Sequence, residues 1–320
     1  MAPKLFWPWL VCALLLLYIV FYAGSGSGVA CEGRAPAPSQ HPPALPAADA
    51  LAPCSAPPPQ RLWSVGLATG TDKFTNSVGR GHAYQAIYEE FLGPLHCRPL
   101  NILEIGLGCN AGIAEAGQSL AMWLHYFPLA TLTVFEYDGR CVDEWVAKDP
   151  MGIGSDVLKR RVVWIKGDQS STGDLAPALA RGPFDFVLDD GGHSFRQQIV
   201  SLVVLLPAVR PGGMYIVEDL GTSFSFAEHP VAKPWNDWPV TTAAYLAKML
   251  AVKHMPVSKP PVWRAEPYDE GHFPGLADVA RQTKHMVCAQ ETCILRVWRE
   301  GEAAAAPPPV GVGVPHHLPA

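Results

Sequence analysis

The chain has 320 residues, a formal net charge of −5 and an apolar fraction of 49%. That length admits one large domain with appendages, or two small domains. No basic block or basic–aromatic stripe occurs, which argues against a nucleic-acid partner.

Leu5 to Ala23 form an almost unbroken apolar run, with Lys4 the only charge before it. About 20 apolar residues are needed for a helix to cross a bilayer, whereas a cleaved signal has a shorter apolar core and a small-residue cleavage site. The run therefore predicts a transmembrane signal anchor over residues 1–23. Cleavage within Ala23–Gly28, giving a secreted protein, is the alternative. A soluble core helix is disfavoured because the run has no polar face. Lys4 and the amino terminus precede the run, and Arg34 is the nearest cation after it. The positive-inside rule then predicts a single-pass type II protein with its domain in the secretory-pathway lumen, ER or Golgi. Residues 24–62 are rich in Pro and Ala and read as a disordered stem.

Residues 63–300 alternate strand and helix. Asn101 to Ile105 is an apolar run ending at Gly106, as a buried parallel strand does. Gln118 to Tyr126 has helical spacing. Thr131–Glu136, Arg161–Lys166 and Phe184–Leu188 are further strands, followed by a helix from Phe195 to about Val209. Pro211-Gly212-Gly213 reads as a turn leading into a fifth strand, Met214–Val217. His285–Ala289 and Thr292–Trp298 flank a tight turn and pair as a hairpin. The pattern predicts an α/β fold, a Rossmann-like doubly wound and mainly parallel sheet closed by an antiparallel hairpin. This is the architecture of the class I, adenosylmethionine-dependent methyltransferases. Residues 301–320 read as a disordered tail. Of eight cysteines, none forms a metal-type CxxC pair. Cys288 and Cys293 either bridge the hairpin or remain free thiols.

Ligands of an open α/β sheet bind beyond the carboxyl ends of its strands. Here those ends are acidic: Glu104, Glu136, Asp168 with Gln169, Asp189-Asp190, and Glu218-Asp219. Like charges in one cleft repel, so a cation belongs among them. A divalent metal and a sulfonium cofactor both fit. Gly106-Leu107-Gly108 lets the backbone approach a ligand, although the spacing is not that of a dinucleotide fingerprint. Glu136 suits the hydroxyls of an adenosine ribose, unless it is merely a solvated acid. Asp190, Glu218 and Asp219 can give magnesium several oxygens. His193, on a Gly-Gly turn, can take a proton from a hydroxyl whose pKa the metal lowers. The plainer alternative makes His193 a helix cap and leaves the acids solvated.

Several segments then carry a resemblance when taken in order. They are Gly70-Thr71-Asp72-Lys73, Leu103-Glu104-Ile105-Gly106-Leu107-Gly108, Ser119-Leu120-x-Met122-Trp123, Gly167-Asp168-Gln169-Ser170, Phe184 to His193, and Pro211-Gly212-Gly213-x-Tyr215-x-x-Glu218-Asp219. Together they resemble the macrolide-sugar O-methyltransferases of the mycinamicin VI and demethylmacrocin type, over roughly residues 66–300. The resemblance implies S-adenosyl-L-methionine and Mg2+ as cofactors. It implies Asp190, Glu218 and Asp219 as metal ligands and His193 as catalytic base. It implies cofactor contacts at Thr71, Glu104, Gly106, Gly108, Cys109, Asn110, Ser119, Glu136, Asp168, Gln169 and Asp189. The chain departs from the family at Glu136 (usually Asp), at Gly192 (usually Ser) and at Cys109-Asn110. The family's amino-terminal assembly region is replaced here by anchor and stem, so its oligomeric state does not transfer.

The acceptor region is expected over residues 221–280, where Trp235, Trp238, Trp263, His229, His254 and His272 either stack on the acceptor or pack loops. The expected acceptor is a small-molecule or glycan hydroxyl, above all that of a sugar. A phenol or catechol acceptor, and a non-catalytic anchored scaffold, are the alternatives.

Overall fold

The computed structural model describes residues 60–76, 79, 81–225, 236–254, 268–299 and 301–302. The expected anchor, nearly all of the stem and tail, and Trp235, Trp263 and His229 lie outside these residues, as does the side chain of His254. Among the described residues no helix is long and apolar enough to cross a membrane.

Seven strands form one sheet: β1 (Asn101–Ile105), β2 (Thr131–Glu136), β3 (Val162–Lys166), β4 (Phe184–Asp189), β5 (Val209–Val217), β6 (Thr283–Ala289) and β7 (Thr292–Val297). Their order is β3-β2-β1-β4-β5-β7-β6. β1 pairs in parallel with both β2 and β4. The connection therefore reverses direction beside β1, and a crevice opens beyond the strand ends. β7 runs antiparallel to β5 and to β6, closing the sheet as the hairpin pattern predicts.

Helices cover both faces. One layer holds α1 (Leu62–Thr69), α2 (Gln85–Phe91), α3 (Gln118–Tyr126), α4 (Gly139–Lys148) and α5 (Ser155–Arg161). The other holds α6 (Thr172–Leu179), α7 (Phe195–Leu205), α9 (Thr242–His254) and α10 (Leu276–Gln282); a short α8 (Thr222–Ser225) follows β5. Side chains of a strand alternate between faces. Ile102, Phe186, Leu188 and Ile216 accordingly pack with Leu120 and Trp123 of α3. Leu103, Val187, Tyr215 and Val217 pack with Ile199 and Leu202 of α7. All six residues of β4 are buried, as expected for a strand covered on both sides.

Strand and helix ends move by one or two residues from the sequence pattern at several places, and by more at two. Pro211-Gly212-Gly213 is not a turn before β5 but lies within it. β5 pairs with β4 at Val209↔Phe184 and again at Met214↔Phe186, with a register shift between. The extra residues bulge out of the ladder, where Pro211, lacking an N–H, breaks no bond. The helix after β4 stops at Leu205 and finishes as a 3-10 turn, Leu206–Ala208, because Pro207 cannot continue it.

The cysteine alternative resolves as a disulfide. Cys288 and Cys293 face each other in the hairpin register and are bonded. A second disulfide, Cys109–Cys141, was not foreshadowed. Cys97 is disulfide-bonded as well.

Candidate active site

A cavity of about 850 Å³ lies beyond the carboxyl ends of the parallel strands. The loop after β1 forms its floor. Gly106 has φ of 97° and packs on the β4 loop so closely that a Cβ there would meet the Asp190 carbonyl oxygen at 2.1 Å. Only glycine permits that approach. The Cys109–Cys141 disulfide then ties the same loop to α4.

Thr71, Gly106, Gly108, Cys109, Asn110, Ser119, Glu136 and Gln169 all line this cavity. Glu136 also organises it: one carboxylate oxygen accepts from the Leu107 amide at 2.7 Å, the other from the Asp138 amide at 2.9 Å. Three other residues expected to touch the cofactor are not among those that line the cavity. Asp168 turns away to accept from the Ser170 amide at 2.8 Å. Asp189 is fully buried in the α7 layer, accepting from Gln169 Nε2 at 2.9 Å, from Tyr215 at 3.2 Å and from the Ser201 hydroxyl. Glu104 is fully buried in the α3 layer, where Trp123 Nε1 donates to it at 3.0 Å. Strand alternation sends these two side chains into the helical layers rather than into the cleft. Burial pushes Glu104 up to about 7, against the pull of Lys73 and its hydrogen bonds.

The acids beyond β4 and β5 divide between two neighbourhoods: Asp190 and Asp219 converge with His193, while Lys73 bridges Asp190 to Glu218. Glu218 and Asp219 are consecutive and point to opposite sides. Glu218 faces inward at 1% exposure; Tyr88 donates to one oxygen and Lys73 Nζ to the other at 2.5 Å. Lys73 Nζ also pairs with Asp190 Oδ2. Burial works against the charge on Lys73, but Asp190, Glu218 and Glu104 overcome it and hold the ammonium well above its ordinary pKa. Asp219 faces the cavity. It accepts from the Tyr84 hydroxyl at 2.9 Å and lies 3.2 Å from His193 Nε2 and 3.4 Å from His82 Nε2. His82 in turn contacts Glu291 of the hairpin turn at 3.1 Å.

His193 (φ 58°) and Asp219 (φ 53°) both hold left-handed backbone conformations. Asp149, at a helix end, and Gln290, in the hairpin turn, do the same, and Asp and His are among the non-glycine residues that adopt this region most readily. Donor atoms of Asp190, His193 and Asp219 come within 4.8 Å of one another, close enough to hold a metal. Glu218 is not in that converging set, and its two oxygens are engaged by Lys73 and Tyr88. A divalent cation fits the site's chemistry: three carboxylates, Asp190, Glu218 and Asp219, gather there, and Lys73 pairs with only the first two, while His193 and His82 lie beside Asp219.

Lys73, Tyr84, Tyr88, His82 and Glu291 were not singled out as site residues from sequence. The signal available for Lys73 was the need for a cation among the acidic strand ends. Tyr137, just past Glu136, was also missed; it lines the cavity at 74% exposure. In the expected acceptor region, Trp238 is buried and donates through Nε1 to the His272 carbonyl at 2.9 Å, so it packs a loop. Asp237 beside it accepts from Ser194 Oγ at 2.7 Å, which docks this segment onto the start of α7 near the cleft.

Sheet order, closing hairpin and strand-end cleft define a class I methyltransferase fold. A solved structure of MycE methyltransferase from the mycinamycin biosynthetic pathway, in complex with Mg and SAH, superposes with a TM-score of 0.55 at 23% identity, covering 76% of this chain and 56% of that one. A second, which also holds mycinamycin VI, gives 0.53 at 24% identity, with the same coverage. No protein-family model matches. Among curated relatives, 8-demethyl-8-alpha-L-rhamnosyl tetracenomycin-C 2'-O-methyltransferase of Streptomyces olivaceus is 32% identical over 58% of this chain and 40% of its own length. Demethylmacrocin O-methyltransferase of Streptomyces fradiae is 27% identical over 64% of this chain and 46% of its own. Mycinamicin VI 2''-O-methyltransferase of Micromonospora griseorubida is 32% identical over 47% and 35%. The chain thus has homologues among the macrolide-sugar O-methyltransferases, while spanning less than half the length of each.

Proposed function

We propose that this protein is an S-adenosylmethionine- and Mg2+-dependent O-methyltransferase acting on a hydroxyl of a sugar or glycosylated small molecule. The observation that carries this reading is one cleft in which Glu136 and the Gly106–Gly108 loop lie beside Asp190, His193 and Asp219. The relative whose name gives a rhamnosyl compound and a 2'-O position supports the sugar over a phenol or catechol.

The cofactors would supply an electrophilic methyl group and a Lewis acid that acidifies the acceptor hydroxyl. The chain's residues do the rest. Glu136, already fixed by two amides, presents its carboxylate to the ribose hydroxyls, and exposed Tyr137 offers a ring face to the adenine. Asp190 and Asp219 would hold the metal, and Glu218 would join them as a third oxygen donor only on leaving Lys73. His193 is held through Nε2 by Asp219. Its Nδ1 is buried and has no hydrogen-bond partner in the structure, so Nε2, the nitrogen on the cleft side, is the one placed to exchange a proton with the acceptor hydroxyl.

We place the catalytic domain in an oxidising compartment, behind an anchor at residues 1–23 or after cleavage there. The Cys109–Cys141 and Cys288–Cys293 disulfides support that placement.

The acceptor class is tested by incubating the purified chain with methyl donor, magnesium and a panel of rhamnosides, other glycosides and catechols, read by mass spectrometry. Methylated glycosides are expected. Methylation of catechols alone would reassign the acceptor, and no methylated product would remove the enzymatic reading.

A further inference from the structure

Lys73 is 1% exposed, a depth at which an ammonium persists only against opposite charge. It comes from neither partner's segment: Asp190 follows β4, Glu218 follows β5, and Lys73 lies between α1 and α2. Its backbone is braced, since the Lys73 carbonyl accepts from the Tyr84 amide at 3.2 Å and the Asp72 carbonyl from the His82 amide at 2.6 Å. The flexible four-carbon stem nevertheless lets the tip move. Asp72 and Thr71, immediately before it, line the cavity.

The two carboxylates that Lys73 engages are two of the three expected to bind metal. One oxygen of Glu218 belongs to Tyr88 and the other to Lys73, while Asp190 gives Oδ2 to the same ammonium. Two cations cannot both make close contact with those oxygens without strong mutual repulsion. Without any cation, Glu218 would be a buried charge facing the partly exposed carboxylate of Asp190, with desolvation and repulsion both working against it.

We propose that Lys73 is a tethered cation that positions Asp190 and Glu218 for a divalent metal and gives up its contacts with them when the metal binds. This rests on the metal-dependent reading above. Lys73 is a positioning residue on this account, because its role runs through the two carboxylates.

The test compares the EDTA-stripped full chain with Lys73→Met, Lys73→Arg and Lys73→Met/Glu218→Gln by thermal unfolding, with and without MgCl2. Lys73→Met should melt lower than the natural chain without metal. Its magnesium-induced rise should exceed the natural chain's by at least about 3 °C, the shift that a tenfold change in metal affinity gives a domain of this size. Lys73→Arg, which keeps the cation, should restore the natural pattern. Lys73→Met/Glu218→Gln should recover metal-free stability over Lys73→Met, because both members of the pair are then neutral. That comparison also serves if Lys73→Met alone fails to fold without metal.

A magnesium-induced rise in Lys73→Met no greater than in the natural chain overturns the displacement. A double variant no more stable than Lys73→Met overturns the charge-positioning role. If the natural chain neither shifts with magnesium nor binds it by calorimetry, the metal-dependent reading itself fails and takes this proposal with it.

Discussion

At the scale of single residues, the site is a set of charges whose ionisation is set by depth. Glu104 is the sharpest case. Its folded pKa of about 7 lies above its ordinary 4.5, so between those values the folded state holds a proton that the unfolded state has lost. Its contribution to stability is complete below 4.5 and is lost as pH rises through about 7. Chemical unfolding across pH 5 to 8 should therefore show stability falling with pH. Glu104→Gln, which keeps an acceptor for Trp123, should flatten that slope; an unchanged slope would show that Glu104 does not titrate in this window. His193 and Asp219 are predicted to act together. His193→Gln and Asp219→Asn should each reduce kcat by about 10²–10⁴-fold, with the double variant little worse than either single one. Additive losses, measured in the same assay, would mean that the pair is not a working unit.

At the scale of elements, loops matter more than strands. Gly106→Ala would force both an unfavourable φ and a 2.1 Å contact with Asp190, and should cost at least about 2 kcal/mol. Added Mg2+ should recover little of that loss, since Asp190 itself is displaced. The Cys109–Cys141 bond closes a segment of 32 residues around β2, for which chain entropy gives about 3–4 kcal/mol. Cys109→Ser/Cys141→Ser should lose stability of that order in urea unfolding and weaken cofactor binding by calorimetry. The parallel strands were legible because a strand buried on both faces needs a continuous apolar run, and their acidic ends stood out against it. Pro211-Gly212-Gly213 was misplaced because a bulge and a turn use the same residues; only pairing with β4 tells them apart. A cation was expected among the acids and Lys73 lies in one of the resembling segments, yet that this lysine is the cation was not legible, for a physical reason. Its partners lie 117 and 145 positions away, and no local pattern marks a charge that fold topology carries inward. The family resemblance implied Asp168 and Asp189 as cofactor contacts, yet a side chain's direction at a strand end depends on the last turn of backbone.

At the scale of the whole molecule, the account joins an apolar amino-terminal run to a disulfide-bonded domain with an acidic cleft. A tag at the carboxyl terminus should resist protease in sealed microsomes and become sensitive on detergent treatment. Sensitivity in intact vesicles would place the domain in the cytosol and leave the disulfides without an oxidising environment. The central claim is that the cleft moves a methyl group with the help of a metal. It is tested most directly by following labelled methyl from S-adenosylmethionine onto a glycoside acceptor as MgCl2 is titrated into the EDTA-stripped chain. The account predicts transfer that rises with magnesium, saturates, and is abolished in Asp190→Asn. Transfer at full rate in EDTA, or undiminished in that variant, would contradict it.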